Sequence, residues 1–129
     1  MKIVSDIDKY LTDLETMGIK KEGDLGDKKT FYAVSMVMMS LINGIIDLGQ
    51  EIVIARKFGM PSTYKDVFRI LQRNKVISME ELRQIEPLIG LRNTLSHEYF
   101  VLTEARLFDA VCREREIKII SKKLARAIK

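Results

Sequence analysis

Residues 27–58 read DKKTFYAVSMVMMSLINGIIDLGQEIVIARKF, and the rest of the chain is arranged around them. Phe31, Val34, Met38, Leu41, Ile42, Ile45, Leu48, Ile52 and Val53 recur mostly at three- and four-residue spacing. That is the period of an α-helix, which brings side chains three and four apart onto one face. In the middle of the stretch apolar residues cover much of the circumference. This predicts a long helix, from about Asp27 to Phe58, at the centre of a bundle. Met36, Met38 and Met39 read as gap-filling core side chains. The segment Gly59-Met60-Pro61-Ser62 stops the helix, because proline cannot continue the hydrogen-bond ladder.

No charge occurs between Thr30 and Ile46. That run contains Ser35, Ser40, Asn43 and Gly44 and is shorter than the ~20 apolar residues a membrane span needs. A buried core or dimer helix is the better reading, with a membrane-associated helical protein as its competitor. The first residues, MKIVSDID, are broken by acids before an apolar run can form, so no targeting segment is expected and the protein reads as cytoplasmic.

Outward from the centre the same period holds. A first helix is expected from about Ser5 to Met17, with Ile7, Tyr10, Leu11 and Leu14 as its stripe and Gly18 at its end. A third begins at Ser62 or Thr63 and ends near Asn74. A fourth opens with Ser78-Met79-Glu80-Glu81, the spacing of a reciprocal cap, and carries Leu82, Ile85, Leu88, Ile89, Leu91 and Leu95. Pro87 lies inside it and should kink it or remove one backbone bond. A fifth runs from Thr103 nearly to the C-terminus, with Phe108, Val111, Cys112, Ile119, Ile120, Leu124 and Ile128 facing the core. No alternating apolar run suggests a strand. The expectation is an all-α, antiparallel bundle of four to five helices with short connections, forming one domain over residues 1–129.

Composition narrows the chemistry. The 129 residues include one cysteine, Cys112, so an internal disulfide is excluded and a reducing compartment fits. Cys112 itself reads as core, where free cysteines usually lie. One cysteine and one histidine do not build a zinc cluster, so no metal and no cofactor are expected. Phosphate-loop, zinc-protease and hydrolase-elbow motifs are all missing. Net charge is +4. Residues 113–129 hold seven bases and two acids, 7 − 2 = +5, which either attracts phosphates or makes a solvated helix face.

His97 is the only histidine, and histidine gains and loses a proton near neutral pH. Alone, a histidine at a helix C-terminus is more simply a partner for loose carbonyls. Its neighbours change that. Arg92 lies five residues upstream and Asn93 one helical turn upstream. Five residues subtend about 140° on a helix, so Arg92 and His97 do not strictly share a face, whereas Asn93 and His97 do. Together they form a phosphate-handling group at a helix end.

The run Arg92-Asn93-Thr94-Leu95-Ser96-His97-Glu98-Tyr99 resembles the R-x-x-x-x-H-x-Y signature of HEPN ribonuclease toxins, including the polar residue after the arginine. Ile46-Asp47-Leu48-Gly49-Gln50-Glu51, the break at Pro61-Ser62-Thr63-Tyr64 and the spacing to Arg92 resemble the HepT-like subgroup paired with minimal nucleotidyltransferase antitoxins. The resemblance covers most of the chain and is weakest before residue 27 and in the C-terminal helix. It implies a homodimeric HEPN-like toxin that cleaves RNA without metal, by attack of a ribose 2′-OH on the neighbouring phosphate. It assigns Arg92 to the phosphate, His97 to proton transfer and Asn93 to orienting His97 or bonding the substrate. A single histidine must serve both base and acid, so a two-fold site with two copies of His97 fits the chemistry.

Tyr99 either packs or stacks at the helix end, or, as the resemblance implies, is adenylylated by the nucleotidyltransferase partner, which would place bulk and charge beside His97. Asp47 and Glu51, one turn apart, are candidates to support the site from behind. They can equally be solvated or meet a base from another helix. The competing reading of the whole chain is a non-catalytic HEPN module that binds a nucleotidyltransferase partner or a nucleotide.

Overall fold

The computed structural model describes residues 1–97 and 101–129, and those residues are helical with no strand among them. Six α-helices occur in order: α1 (Lys2–Met17), α2 (Lys28–Ala55), α3 (Tyr64–Arg73), α4 (Met79–His97), α5 (Glu104–Val111) and α6 (Glu114–Ala127). A 3₁₀ turn, Glu22–Leu25, sits between α1 and α2.

α2 touches all five other helices, as its apolar circumference predicts. Val34, Met38, Leu41, Ile45, Leu48 and Ile52 are fully buried along it. Two glycines let neighbours approach closely. A Cβ on Gly44 would lie 2.9 Å from Ile7 Cγ1 on α1, and one on Gly49 would lie 3.0 Å from Val67 Cγ1 on α3. By length and composition α2 could also cross a membrane, but half of its most apolar window is buried inside the fold. Met36 departs from the expectation of a core side chain: it is exposed, while Met38 is buried and Met39 partly so. Met36 and Met38 are two residues apart and so about 200° apart around the helix.

The caps explain where the helices start. Asp27 Oδ2 accepts from the Thr30 N–H at 3.0 Å to begin α2. Of the two candidates before α3, Thr63 is the cap, accepting from the Asp66 N–H at 3.1 Å. The reciprocal cap of α4 is formed: the Ser78 N–H donates to Glu81 Oε1 at 2.8 Å, and the Glu81 N–H donates to Ser78 Oγ at 3.1 Å. Pro87 lies within α4, which continues past it.

Two helix ends carry lysine where glycine is usual. Lys57 (φ 55°) and Lys75 (φ 62°) are left-handed. After each, the chain bonds back in the Schellman pattern, Phe58 N–H to Val53 O at 3.0 Å and Val76 N–H to Leu71 O at 2.9 Å. α2 therefore closes at Ala55, before Phe58 and before the Gly-Met-Pro segment.

The expected fifth helix is two. The break falls at Cys112-Arg113, where the Arg113 N–H tightens onto Ala110 O at 3.1 Å. The apolar phase runs through it, from Leu107, Ala110 and Val111 to Ile117, Ile120 and Leu124, all buried. That continuity hides the break from a periodicity reading. Two expected core positions are corrected. Cys112 is exposed at the break, and Ile119 is exposed because it lies about 100° from Ile120 around α6.

The basic tail is partly structural. Lys123 Nζ meets Glu81 Oε1 at 2.7 Å, Lys118 Nζ meets Glu15 Oε1 at 3.5 Å, and Arg113 pairs with Asp109 and Glu116. Three of its seven bases thus hold α6 and its start in place, which favours the solvated-face reading for that segment.

Candidate active site

Arg92, Asn93 and His97 all lie in the last two turns of α4, and His97 is the final residue of that helix. Arg92 is half-buried, while Asn93 and His97 are exposed. Tyr99 and the neighbouring Glu98 lie outside the described residues.

The guanidinium of Arg92 is held from three sides. Its Nε donates to Asn43 Oδ1 on α2 at 2.8 Å. Its Nη1 lies 3.4 Å from Asn93 Oδ1 and 3.3 Å from Ser96 Oγ, one turn along α4. The ring of Tyr64 stacks on it, with Cζ 4.9 Å from the ring centroid. Tyr64 is the first residue of α3, so the Thr63 cap that starts the helix also delivers this ring. A cation over an aromatic face is attracted by the ring quadrupole. Nη2 makes no hydrogen bond among the described residues, so part of the fork remains for an anion.

Asn43, Tyr64 and Ser96 are thus part of the arrangement, and none of them carried a role in the sequence reading. Ser96 lies inside the quoted run, one turn from Arg92, and that spacing was its available signal. Asn43 is forty-nine residues from Arg92 in sequence, and only the packing of α2 on α4 joins them.

Asp47 and Glu51 lie one turn apart on the exposed side of α2. Partial burial pushes the Asp47 carboxyl up, the Glu51 charge pushes it further, and Arg92 pulls it back. Asp47 therefore feels Arg92, though no ion pair joins them among the described residues. Among those residues no group of three His, Cys, Asp or Glu side chains is placed to hold a metal ion.

The far side of the site is tied down by Arg106. Its Nη1 donates to Thr94 Oγ1 at 2.7 Å, and Thr94 Oγ1 donates in turn to Gly90 O at 3.2 Å. This links α5 to the last turns of α4.

Residues 6–124 match the family described as HepT-like ribonuclease. The chain belongs to the HepT-like ribonuclease family. Solved structures agree on the fold. A cytosolic protein of unknown function, YutE from Bacillus subtilis, superposes with a TM-score of 0.84 at 21% identity, over 97% of this chain and 87% of that one. A toxin–antitoxin structure with AMP-PNP gives a TM-score of 0.84 at 17% identity, over 95% of each chain. A mutant of the MntA-HpeT toxin–antitoxin gives 0.85 at 16% identity, over 97% of this chain and 96% of that one. At these identities the likeness is one of fold: this HepT-like chain shares the helical bundle of those structures. No curated protein matches the chain in sequence. The matched HepT-like region includes every residue that holds Arg92.

Proposed function

We propose that the protein is a metal-independent endoribonuclease, the toxin of a toxin–antitoxin pair, whose chemistry is carried by Arg92 and His97. The observation that carries this reading is the Arg92 guanidinium, braced by Asn43 and Tyr64 in the same two turns of helix that end on the exposed His97.

The reaction follows from these groups. Neutral His97 takes the proton of a ribose 2′-OH. The 2′-oxygen bonds to the adjacent phosphorus, the bond from phosphorus to the 5′-oxygen breaks, and that oxygen takes a proton from a second, protonated histidine. The products are a 2′,3′-cyclic phosphate and a 5′-OH. Arg92 meets the phosphate oxygens, whose negative charge grows in the transition state. Asn93 shares a face with His97, which supports a role in orienting it or bonding the substrate. Asp47 and Glu51 shape the field behind Arg92.

The second histidine comes from a second copy of the chain. Tyr32, Met36, Met39 and Leu95 form an apolar hollow between α2 and the end of α4. Met36 lies seven residues from Asn43, two helical turns and so on the same face of α2. A two-fold partner seated there brings its own His97 and Arg92 close to this site.

The antitoxin partner is a minimal nucleotidyltransferase, and Tyr99 is its adenylylation target, two residues beyond His97. The modified tyrosine would carry a phosphodiester that repels RNA. Cytoplasmic action follows from an RNA substrate and accords with the cytosolic description of the Bacillus subtilis relative in fold.

Purified protein incubated with RNA in EDTA tests the reading. Cleavage that persists in EDTA and disappears in Arg92→Ala supports the enzyme. A clean preparation that never cleaves supports a binding module instead.

A further inference from the structure

Beside Arg92 a cleft of about 650 Å³ opens between α2, α3 and α4. Tyr64 and Asn93, both in contact with Arg92, are among its lining residues. Its lining sorts into three kinds of group. Gln50 presents a side-chain amide with donors and an acceptor, and Asn93 presents its amide donors, its Oδ1 already lying 3.4 Å from Arg92 Nη1. Tyr64 and Pro61 present flat or apolar surface, to which the buried Ile89 adds almost none. Lys65 and Arg69 present positive charge, but not equally. Arg69 is committed to Glu86 at 3.1 Å and Asp66 at 3.6 Å. The Lys65 side chain makes no ion pair among the described residues and is the cleft's uncommitted cation.

The start of α3 adds little of its own. The Ser62 N–H is already bonded to Asp66 Oδ2 at 3.1 Å, and the Asp66 N–H to Thr63 Oγ1 at 3.1 Å. Recognition in the cleft therefore rests on side chains.

One cation, two amides and an apolar wall, directly beside a phosphate-binding arginine, match the parts of one nucleotide: phosphate, base edge and base face. We infer that this cleft receives the nucleotide next to the scissile phosphate, with its base unstacked, with Lys65 on its phosphate and Gln50 and Asn93 on its base edge. The inference builds on the ribonuclease reading and narrows it to RNA that is single-stranded at the cleavage position. A paired and stacked base cannot turn into the cleft, whereas bases of loops and ends can be splayed out and read on their edges. Lys65 and Gln50 are thereby binding residues, and the Gln50 amide is a determinant of base preference.

The test uses the full chain and a short, labelled single strand of mixed-sequence 2′-O-methyl RNA, which lacks the attacking hydroxyl and survives for equilibrium binding. Anisotropy titrations at several salt concentrations compare the parent with Lys65→Ala and Lys65→Arg, and the strand with its duplex. Expected are a loss of roughly five- to tenfold in affinity for Lys65→Ala, a salt slope smaller by about 0.7, recovery in Lys65→Arg and weaker binding of the duplex. Unchanged affinity and slope in Lys65→Ala, a duplex bound as tightly as the strand, or no binding by the parent would each overturn the inference. Cleavage of unmodified RNA separates the two readings. A parent that cleaves, with Lys65→Ala indistinguishable from it in binding and rate, sinks the cleft and leaves the nuclease. A parent that binds through Lys65 and never cleaves sinks the nuclease and leaves the cleft.

Discussion

Arg92 Nε donates to Asn43 Oδ1 at 2.8 Å, joining the end of α4 to the middle of the central helix. A half-buried guanidinium placed by such a bond does not have to be ordered when an anion arrives. Asn43→Ala is expected to lower the cleavage rate roughly tenfold, the equivalent of one lost hydrogen bond to a charged group, while the circular dichroism stays helical. Asn43→Asp keeps the acceptor oxygen and should retain more activity than the alanine variant. Equal rates for Asn43→Ala and the parent would remove the positioning role.

Tyr64 holds the same guanidinium by its ring face. The contact is partly exposed, where a cation–π interaction is worth about 0.5–1 kcal/mol. Tyr64→Phe should therefore cleave like the parent, and Tyr64→Leu should be slower by roughly two- to fivefold. A Tyr64→Phe variant as slow as Tyr64→Leu would show that the hydroxyl, and not the ring, is the working part.

The sequence made the bundle legible because α2 repeats apolar residues at helical spacing through its length and because capping residues stand where helices begin. Ser78 and Glu81 are the plainest case. The division between α5 and α6 was hidden because Leu107, Ala110, Val111 and Ile117 keep one phase across it, with no glycine or proline at the break. Lys57 concealed the end of α2 for a related reason, since lysine is not a residue that signals a left-handed turn, whereas the end of α3 near Asn74 was legible. At the candidate site, Arg92, Asn93 and His97 stood out because they crowd into six residues around the only histidine. Asn43 and Tyr64 belong to other helices and reach Arg92 only through packing, which a linear pattern does not encode.

The two left-handed lysines carry a cost that glycine would relieve. An L-residue in this conformation is disfavoured by roughly 1–2 kcal/mol, and part of that gain is offset by the greater freedom of glycine in the unfolded chain. Lys75→Gly, at the end of α3, is expected to stabilise the protein by about 0.5 kcal/mol or somewhat more in urea unfolding. A destabilised variant would mean that the lysine side chain makes up for the backbone.

Glu81 makes stability depend on pH in a defined direction. Burial alone would raise its carboxyl, but the hydrogen bond from Lys123, those from Ser78 and the Lys123 charge outweigh burial and leave it below the ordinary value of 4.5. The unfolded chain then binds more protons in the interval below 4.5, so stability rises with pH across that interval. The contribution is fully present above 4.5 and is lost as pH falls through the folded value. Glu81→Gln, which also weakens the cap of α4, should cost about 1 kcal/mol at neutral pH. The gap to the parent should narrow on acidification, and urea midpoints measured across the acid range check it. A gap that stays constant with pH would mean that Glu81 acts by shape and not by charge.

The central claim is that His97 transfers the protons of RNA cleavage. The most direct measurement is the single-turnover cleavage rate of His97→Ala against the parent in EDTA, with helical content confirmed for both. The account predicts a loss of about a hundredfold or more, the usual range for a positioned general acid–base. A folded His97→Ala variant that cleaves RNA as fast as the parent would contradict it.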